Sequence, residues 1–283
     1  MVGNTNIGLS YVDQSSKKIA KRINVLKQEY FHSDFIILSY PKSGRTWIRN
    51  LLGDYMHCIY GVKLTKKLNN ADYNRVIDRV KKDCPLISLT HDWHSILGET
   101  QYKNFYKIFD SQNNFLFEEF YKTDKTLILL RDPIDCSISY YWMLHKAIEK
   151  FSGSIEEWFD SSEFGIENLI KFFNNLLELK NKKNLLTIHY QNLFYNDAWI
   201  KILEYFKMPI DKKLLEQLLQ KYSFNNMKQK EMQEKMISNP NSNKLFVRQG
   251  GKNYIRYLSD YTKNKIESNK KLVEIIKCVE YMV

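Results

Sequence analysis

This chain contains four short apolar runs, and a helical pattern or a polar cluster follows each of them. This order restricts the chain to one class of fold. The runs are FIILSY (35–40), PLISLTH (85–91), TLILLRD (126–132) and NLLTIHY (184–190). Apolar residues at helical spacing extend from Thr46 to Gly61, from Pro133 to about Ile148, and near 196–206. Strands that alternate with helices form βαβ units, so we predict an α/β fold with a central, mostly parallel sheet flanked by helices.

The chain is predicted to form one domain. Its 283 residues can bury a sizeable core, and neither an internal repeat nor a Gly-, Ser- or Pro-rich linker divides them. We therefore expect a single domain over 1–283, with a polar N-terminal arm or helix over 1–33.

Polar clusters follow all four predicted strands. They lie at 40–47, 91–94, 131–139 and 190–193. Ligands of open parallel sheets bind outside the carboxyl ends of the strands, so this placement predicts one composite site.

The first cluster and the preceding Ser39 form a turn that joins a strand to a helix and resembles the phosphate loop G-x-x-x-x-G-K-[ST] only in part. Ser39 replaces the first glycine and Arg45 the lysine, which disfavours a nucleoside triphosphatase. Backbone N–H groups at the start of the helix still form an anion cradle, with charge from Lys42 and donors from the hydroxyls of Ser43 and Thr46. The alternative is a plain turn in which Ser43 or Thr46 caps the helix.

The third cluster, which begins the segment Arg131 to Trp142, places an arginine at a strand end and Ser139 on the helix that follows. Both side chains can converge on one phosphate, because a guanidinium forms bidentate charge-assisted hydrogen bonds. The alternative is a local ion pair of Arg131 with Asp132 or Asp135.

Together these clusters resemble the sulfotransferases that use 3′-phosphoadenosine 5′-phosphosulfate (PAPS). YPKSGRTW is similar to the 5′-phosphosulfate loop of that family and RDPIDCSISYYW to its 3′-phosphate motif. The resemblance spans about 35–257 and implies a P-loop-like three-layer sandwich. Four further segments agree with family motifs: Thr90-His91, Tyr190-Gln-Asn-Leu193, Tyr222-Ser-Phe224-Asn-Asn-Met227 and Arg248-Gln-Gly250.

The resemblance also implies roles for individual residues. Lys42 would contact the oxygen that bridges sulfur and the 5′-phosphate, and the turn would hold that phosphate. His91 would be the general base, and no metal would be needed. The cofactor-binding residues implied are Lys42, Ser43, Gly44, Arg45, Thr46, Trp47, Arg131, Ser139, Tyr190, Phe224, Arg248, Gln249 and Gly250. The segment 228–258 would cover the cofactor and substrate, and 3′,5′-diphosphoadenosine (PAP) would be the product.

The acceptor is predicted only as a hydroxyl of a small molecule, a lipid or a sugar. Departures from the family pattern at Leu89, Arg45, Tyr222 and Gln249 prevent a transfer of acceptor specificity. An imidazole suits removal of a hydroxyl proton at neutral pH, which favours His91, with His94 as the alternate base or a pocket residue. Besides His94, we expect Trp93 and Trp142 to line the acceptor pocket. His91 and His94 lack further metal ligands at a usual spacing.

Charge and composition leave two other function classes open. With 43 Lys+Arg and 32 Asp+Glu the chain carries a formal charge of +11, which would suit a non-catalytic binder of nucleic acid or another polyanion. The sheet pattern would also suit a Mg²⁺-dependent nucleotide-phosphate kinase. We expect no nucleic-acid partner, because the key basic residues occupy defined strand ends.

The sequence predicts neither a membrane span nor a secretory signal, and therefore a cytosolic location. No apolar run approaches the roughly 18 residues that a span requires, and the first residues form no apolar segment. The four cysteines lie far apart, which favours reduced thiols over a zinc site or a disulfide framework. They are Cys58, Cys84, Cys136 and Cys278.

Overall fold

The computed structural model describes residues 34–62, 83–85, 87–90, 126–147, 149–178, 185–238 and 254–281. Its sheet contains four parallel strands in the order β2-β1-β3-β4. The strands are β1 Phe35–Ser39, β2 Ile87–Thr90, β3 Thr126–Leu130 and β4 Leu185–His189. Each lies inside one of the four apolar runs, so the predicted strands are confirmed. The predicted arm over 1–33 lies outside the described residues.

The strand register brings the carboxyl ends of all four strands to one edge. Leu38 pairs with Thr90 across β1 and β2, and Leu130 pairs with His189 across β3 and β4. From β1 the chain crosses to β2 on one side and then returns to β3 on the other side. The polar turns after β1 and β3 therefore flank the point where the strand order reverses, which is where open parallel sheets bind ligands.

The described helices follow the strands in chain order. Two short 3₁₀ turns, Tyr190–Phe194 and Tyr254–Tyr257, and a π-helical turn, Met143–Ala147, accompany them. The α-helices are α1 Arg45–Tyr60, α2 Pro133–Trp142, α3 Ile155–Asp160, α4 Ile166–Glu178, α5 Asn196–Tyr205, α6 Lys212–Lys221, α7 Phe224–Ser238, α8 Asp260–Ser268 and α9 Lys270–Tyr281.

Helices cover both faces of the sheet, and the side chains of the strands alternate between them. Ile37 and Leu129 pack with α1, α5 and α6, whereas Leu38 and Ile128 pack with α2, α3, α4, α8 and α9. All four side chains are fully buried. Burial on two faces explains why the strands are continuous apolar runs without a polar alternation. The predicted three-layer α/β sandwich is therefore confirmed.

The helix predicted from Pro133 to about Ile148 divides in the structure. Regular α-helix ends at Trp142, and the next five residues form the π-helical turn. The imidazole of His145 stacks on the ring of Tyr141 at 5.1 Å, and the backbone N–H of Lys150 donates to the Leu144 carbonyl. Wider turns of this kind recur at functional sites, and apolar spacing does not reveal them.

Among the helices that the structure describes, none combines the length and the apolar character needed to cross a bilayer. All four cysteines lie in described segments, and all four are free thiols.

Candidate functional site: an anion cradle between β1 and β3

The turn after β1 has an unusual backbone. Lys42 adopts a left-handed conformation with φ 72°, and Gly44, which caps α1, has φ 105°. The first N–H groups of a helix have no carbonyl partner within it, so the start of α1 presents donors and a positive dipole end. The N–H of Ser43 donates to the Tyr40 carbonyl at 3.2 Å and the N–H of Trp47 to the Gly44 carbonyl at 2.9 Å, so these two amides serve the turn itself. The anion cradle at the start of α1 stays a prediction.

Gly44 is also required by its neighbour Tyr190. A Cβ atom at Gly44 would lie 2.5 Å from Cδ2 of Tyr190. Any side chain at this position would displace the aromatic ring besides straining the backbone. The structure thus gives a physical reason for the glycine and brings Tyr190 to the turn.

Arg131 connects the turn after β3 to the turn after β1. The side chain is buried, Nη1 donates to the backbone carbonyl of Lys42 at 2.9 Å, and the guanidinium lies 4.7 Å from the ring centroid of Tyr190. Since a guanidinium offers five N–H donors, the carbonyl and a phosphate can share it. The structure therefore joins three predicted site residues in one cluster.

Ser43 forms a second connection between the two turns. Its hydroxyl lies 3.3 Å from the thiol of Cys136 on α2, and both side chains are fully buried. Burial raises the pKa of the Cys136 thiol to about 12, so the group stays protonated. The sequence suggested that the Ser43 hydroxyl faces an anion, but the structure directs it into the protein interior.

The start of α2 is organised by Asp132. Its carboxylate accepts a hydrogen bond from the backbone N–H of Asp135 at 2.7 Å and thereby caps the helix. Burial raises the pKa of this carboxyl to about 6 and outweighs the opposite effect of the neighbouring Arg131 charge. Ser139 lies further along the same helix and is half-buried.

Three aromatic rings line the next part of the site. The indole of Trp47 lies 6.0 Å from the ring of Tyr190 and 4.6 Å from the ring of Phe194. Trp47 is buried, and its Nε1 has no hydrogen-bond partner among the described residues. Sequence reasoning missed Phe194; its position four residues after Tyr190, beyond a strand end, was the available signal.

Tyr222 and Asp54 fix the start of α7. The hydroxyl of Tyr222 donates to Oδ2 of Asp54 at 2.6 Å, and the ammonium group of Lys221 lies 2.5 Å from the same oxygen. These contacts attach the segment before Phe224 to α1. Phe224 itself begins α7 and is half-buried.

Of the remaining predicted residues, three lie in described segments and six lie outside them. Arg45 and Thr46 lie in the first turn of α1, and Trp142 is half-buried with the ammonium group of Lys146 at 4.4 Å from its ring centroid. Outside the described residues lie His91, Trp93, His94, Arg248, Gln249 and Gly250. Thr90, which precedes His91 in the sequence, ends β2 beside β1.

Two comparisons with known proteins bear on this site. A family model described as the sulfotransferase domain matches residues 32–269 of the chain. Among solved structures, the chain is similar to mouse sulfotransferase SULT7A1, which was crystallised in complex with PAP. The TM-score is 0.56 at 17% sequence identity, and the match covers 89% of this chain and 88% of that chain. At this identity the structural likeness shows a shared fold.

Proposed function

This chain belongs to the sulfotransferase family, and we propose that it transfers a sulfuryl group from PAPS to a hydroxyl group of an acceptor. The contact between Arg131 and the Lys42 carbonyl carries the proposal, because it places two cationic turns side by side. PAPS has a matching pair of anionic groups, a 3′-phosphate and a 5′-phosphosulfate. PAP, the molecule bound in the mouse neighbour, would be the product.

The residues of the cradle suit this donor. Lys42 and the N–H groups at the start of α1 would hold the 5′-phosphosulfate, and Arg131 with Ser139 would hold the 3′-phosphate. The aromatic rings of Trp47, Tyr190 and Phe224 would contact adenine. We assign Arg248, Gln249 and Gly250 to the 3′-phosphate as well, because this segment resembles the C-terminal family motif and departs from it at Gln249.

In the proposed mechanism, His91 removes the proton from the acceptor hydroxyl. The acceptor oxygen attacks the sulfur of the bound donor in line with the bond to the 5′-phosphate. That bond breaks, and PAP leaves. Lys42 and the amides of the turn stabilise the charge that develops on the leaving oxygen. Such preorganised donors lower a barrier by several kcal/mol, and general-base catalysis contributes about 10²- to 10⁴-fold.

The acceptor site follows from the same assignment. We propose that Trp93, His94 and Trp142 contact an acceptor that is a small molecule, a lipid or a sugar. The cationic groups of Lys42 and Arg131 supply the charge that a metal ion supplies in phosphoryl transfer, so the reaction is proposed to need no metal. The proposed compartment is the cytosol.

Titration calorimetry with PAP in EDTA tests the donor site first. We expect saturable binding by the unmodified chain and by Lys271→Ala, which removes an exposed positive charge on α9. Arg131→Ala should weaken the binding of PAP much more than the binding of adenosine 5′-monophosphate (AMP). An equal loss for both ligands would remove Arg131 from the 3′-phosphate site.

Turnover is tested by incubating the protein with PAPS and a metabolite extract, then searching by mass spectrometry for products heavier by one sulfuryl group. His91→Ala should bind PAP normally and lose most turnover; a variant near the parental rate would refute the base assignment. Mg²⁺-dependent consumption of ATP would instead favour the kinase. Steeply salt-dependent binding of long polyanions without PAP binding would favour the nucleic-acid binder.

A further inference from the structure

We propose that Arg131 is a positioning residue for Lys42, in addition to its assigned contact with the 3′-phosphate. By holding the Lys42 carbonyl, the guanidinium keeps the turn in the conformation that directs the lysine and the amides of α1 toward the 5′ end of the donor. The inference rests on the proposed function and deepens it, because it couples the two anion subsites of one ligand.

The first reason is the conformation of Lys42 itself. A left-handed backbone is unfavourable for a residue that has a Cβ atom, and it persists only where surrounding contacts enforce it. Lys42 has φ 72°, and its carbonyl accepts the 2.9 Å hydrogen bond from Arg131. In this turn, Lys42 is the non-glycine residue with a strained backbone, and the hydrogen bond from Arg131 holds its carbonyl.

The second reason is the packing of Arg131 between the two turns. Its side chain is buried, and its guanidinium lies over the ring of Tyr190, which in turn packs against Gly44. The contact between Ser43 and Cys136 joins the same two segments one residue further along. A displacement of Arg131 would therefore be transmitted to the turn, both through the Lys42 carbonyl and through the Tyr190 ring.

As a consequence, Arg131 would contribute to donor binding both by attracting the 3′-phosphate and by ordering the turn that holds the 5′-phosphosulfate. A 3′-phosphate that binds Arg131 would fix the guanidinium and, through it, the turn that holds the 5′-phosphosulfate. A nucleotide that lacks the 3′-phosphate would not contact Arg131, and the turn that forms the 5′ subsite would be less well ordered. Arg131 would then matter even for ligands that it never touches.

The test uses AMP, which has a 5′-phosphate and no 3′-phosphate, and compares two backgrounds, Lys42→Ala and Lys42→Gly. Both backgrounds lack the ammonium group, but only glycine adopts the left-handed conformation without strain. We expect Arg131→Ala to weaken AMP binding roughly tenfold with alanine at position 42 and less than about threefold with glycine there. Calorimetry on the full chain measures all four affinities.

An equal loss of AMP affinity in the two backgrounds would refute positioning, because a direct charge effect does not depend on the backbone of residue 42. If Arg131→Ala does not fold, Arg131→Met takes its place, since its side chain fills the buried position and has no N–H donor for the Lys42 carbonyl. Lys271→Ala controls for the lost charge. Failure of the unmodified chain to bind either PAP or AMP would instead refute the proposed function.

Discussion

Gly44→Ala tests whether the turn geometry is as tightly determined as the structure indicates. The substitution imposes a side chain at φ 105° and places a Cβ atom 2.5 Å from Tyr190. The backbone cost is about 1–2 kcal/mol, and forcing the ring aside in a packed site adds about 1–3 kcal/mol. We therefore expect the free energy of unfolding to fall by about 2–5 kcal/mol.

Urea unfolding followed by tryptophan fluorescence measures this loss, and Gly61→Ala is the matched control. Gly61 ends the same helix with φ 65° but is exposed, so its substitution costs only the backbone term of about 1–2 kcal/mol. In a Tyr190→Ala background, the Gly44→Ala cost should fall to the same value. Equal costs for Gly44→Ala and Gly61→Ala in the parental chain would refute the reasoning.

Two other predictions concern the residues around the cradle. Burial in the folded protein raises the pKa of the Asp132 carboxyl from 3.8 to about 6, so its contribution to stability falls as pH rises between these values. In urea unfolding, the free energy of unfolding of Asp132→Asn should rise relative to that of the parental chain by up to about 3 kcal/mol between pH 4 and pH 7. The same difference between the two proteins at both pH values would contradict this. In the folded protein, Ellman's reagent should modify exposed Cys58 quickly, whereas buried Cys136, with its pKa raised to about 12, should react only in denaturant. Peptide mapping identifies the sites, and native labelling of Cys136 would contradict the assignment.

The sheet could be predicted from the sequence because its strands are buried on both faces. Apolar runs such as TLILL have few alternatives to a buried parallel strand when helical patterns separate them, and a polar cluster after each run lies at the edge where parallel sheets in general bind ligands. The positions of Lys42 and Arg131 at strand ends followed from this pattern, whereas the pairing of β1 with β3 came from the structure. Their direct contact did not, because side-chain direction depends on the twist and register of the strands.

Other features depend on tertiary contacts that local patterns do not encode. The hydroxyl of Ser43 has the same chemistry whether it faces an anion or Cys136, and only packing decides between them. The π-helical turn after Trp142 and the contact of Phe194 with Trp47 were missed for the same reason. The catalytic assignment of His91 remains a prediction from the sequence.

The connections between the two turns have a consequence for folding. The bond from Arg131 to Lys42 closes 89 residues of chain, and the contact of Cys136 with Ser43 closes 93. Non-local contacts of this kind form only after a large loss of chain entropy. At about 5–20 residues per second, a ribosome needs roughly 5–20 s to proceed from the first turn to the second. Throughout that interval the nascent chain contains the residues of β1 but not those of β3, so the two turns can meet only after the second one has been synthesised.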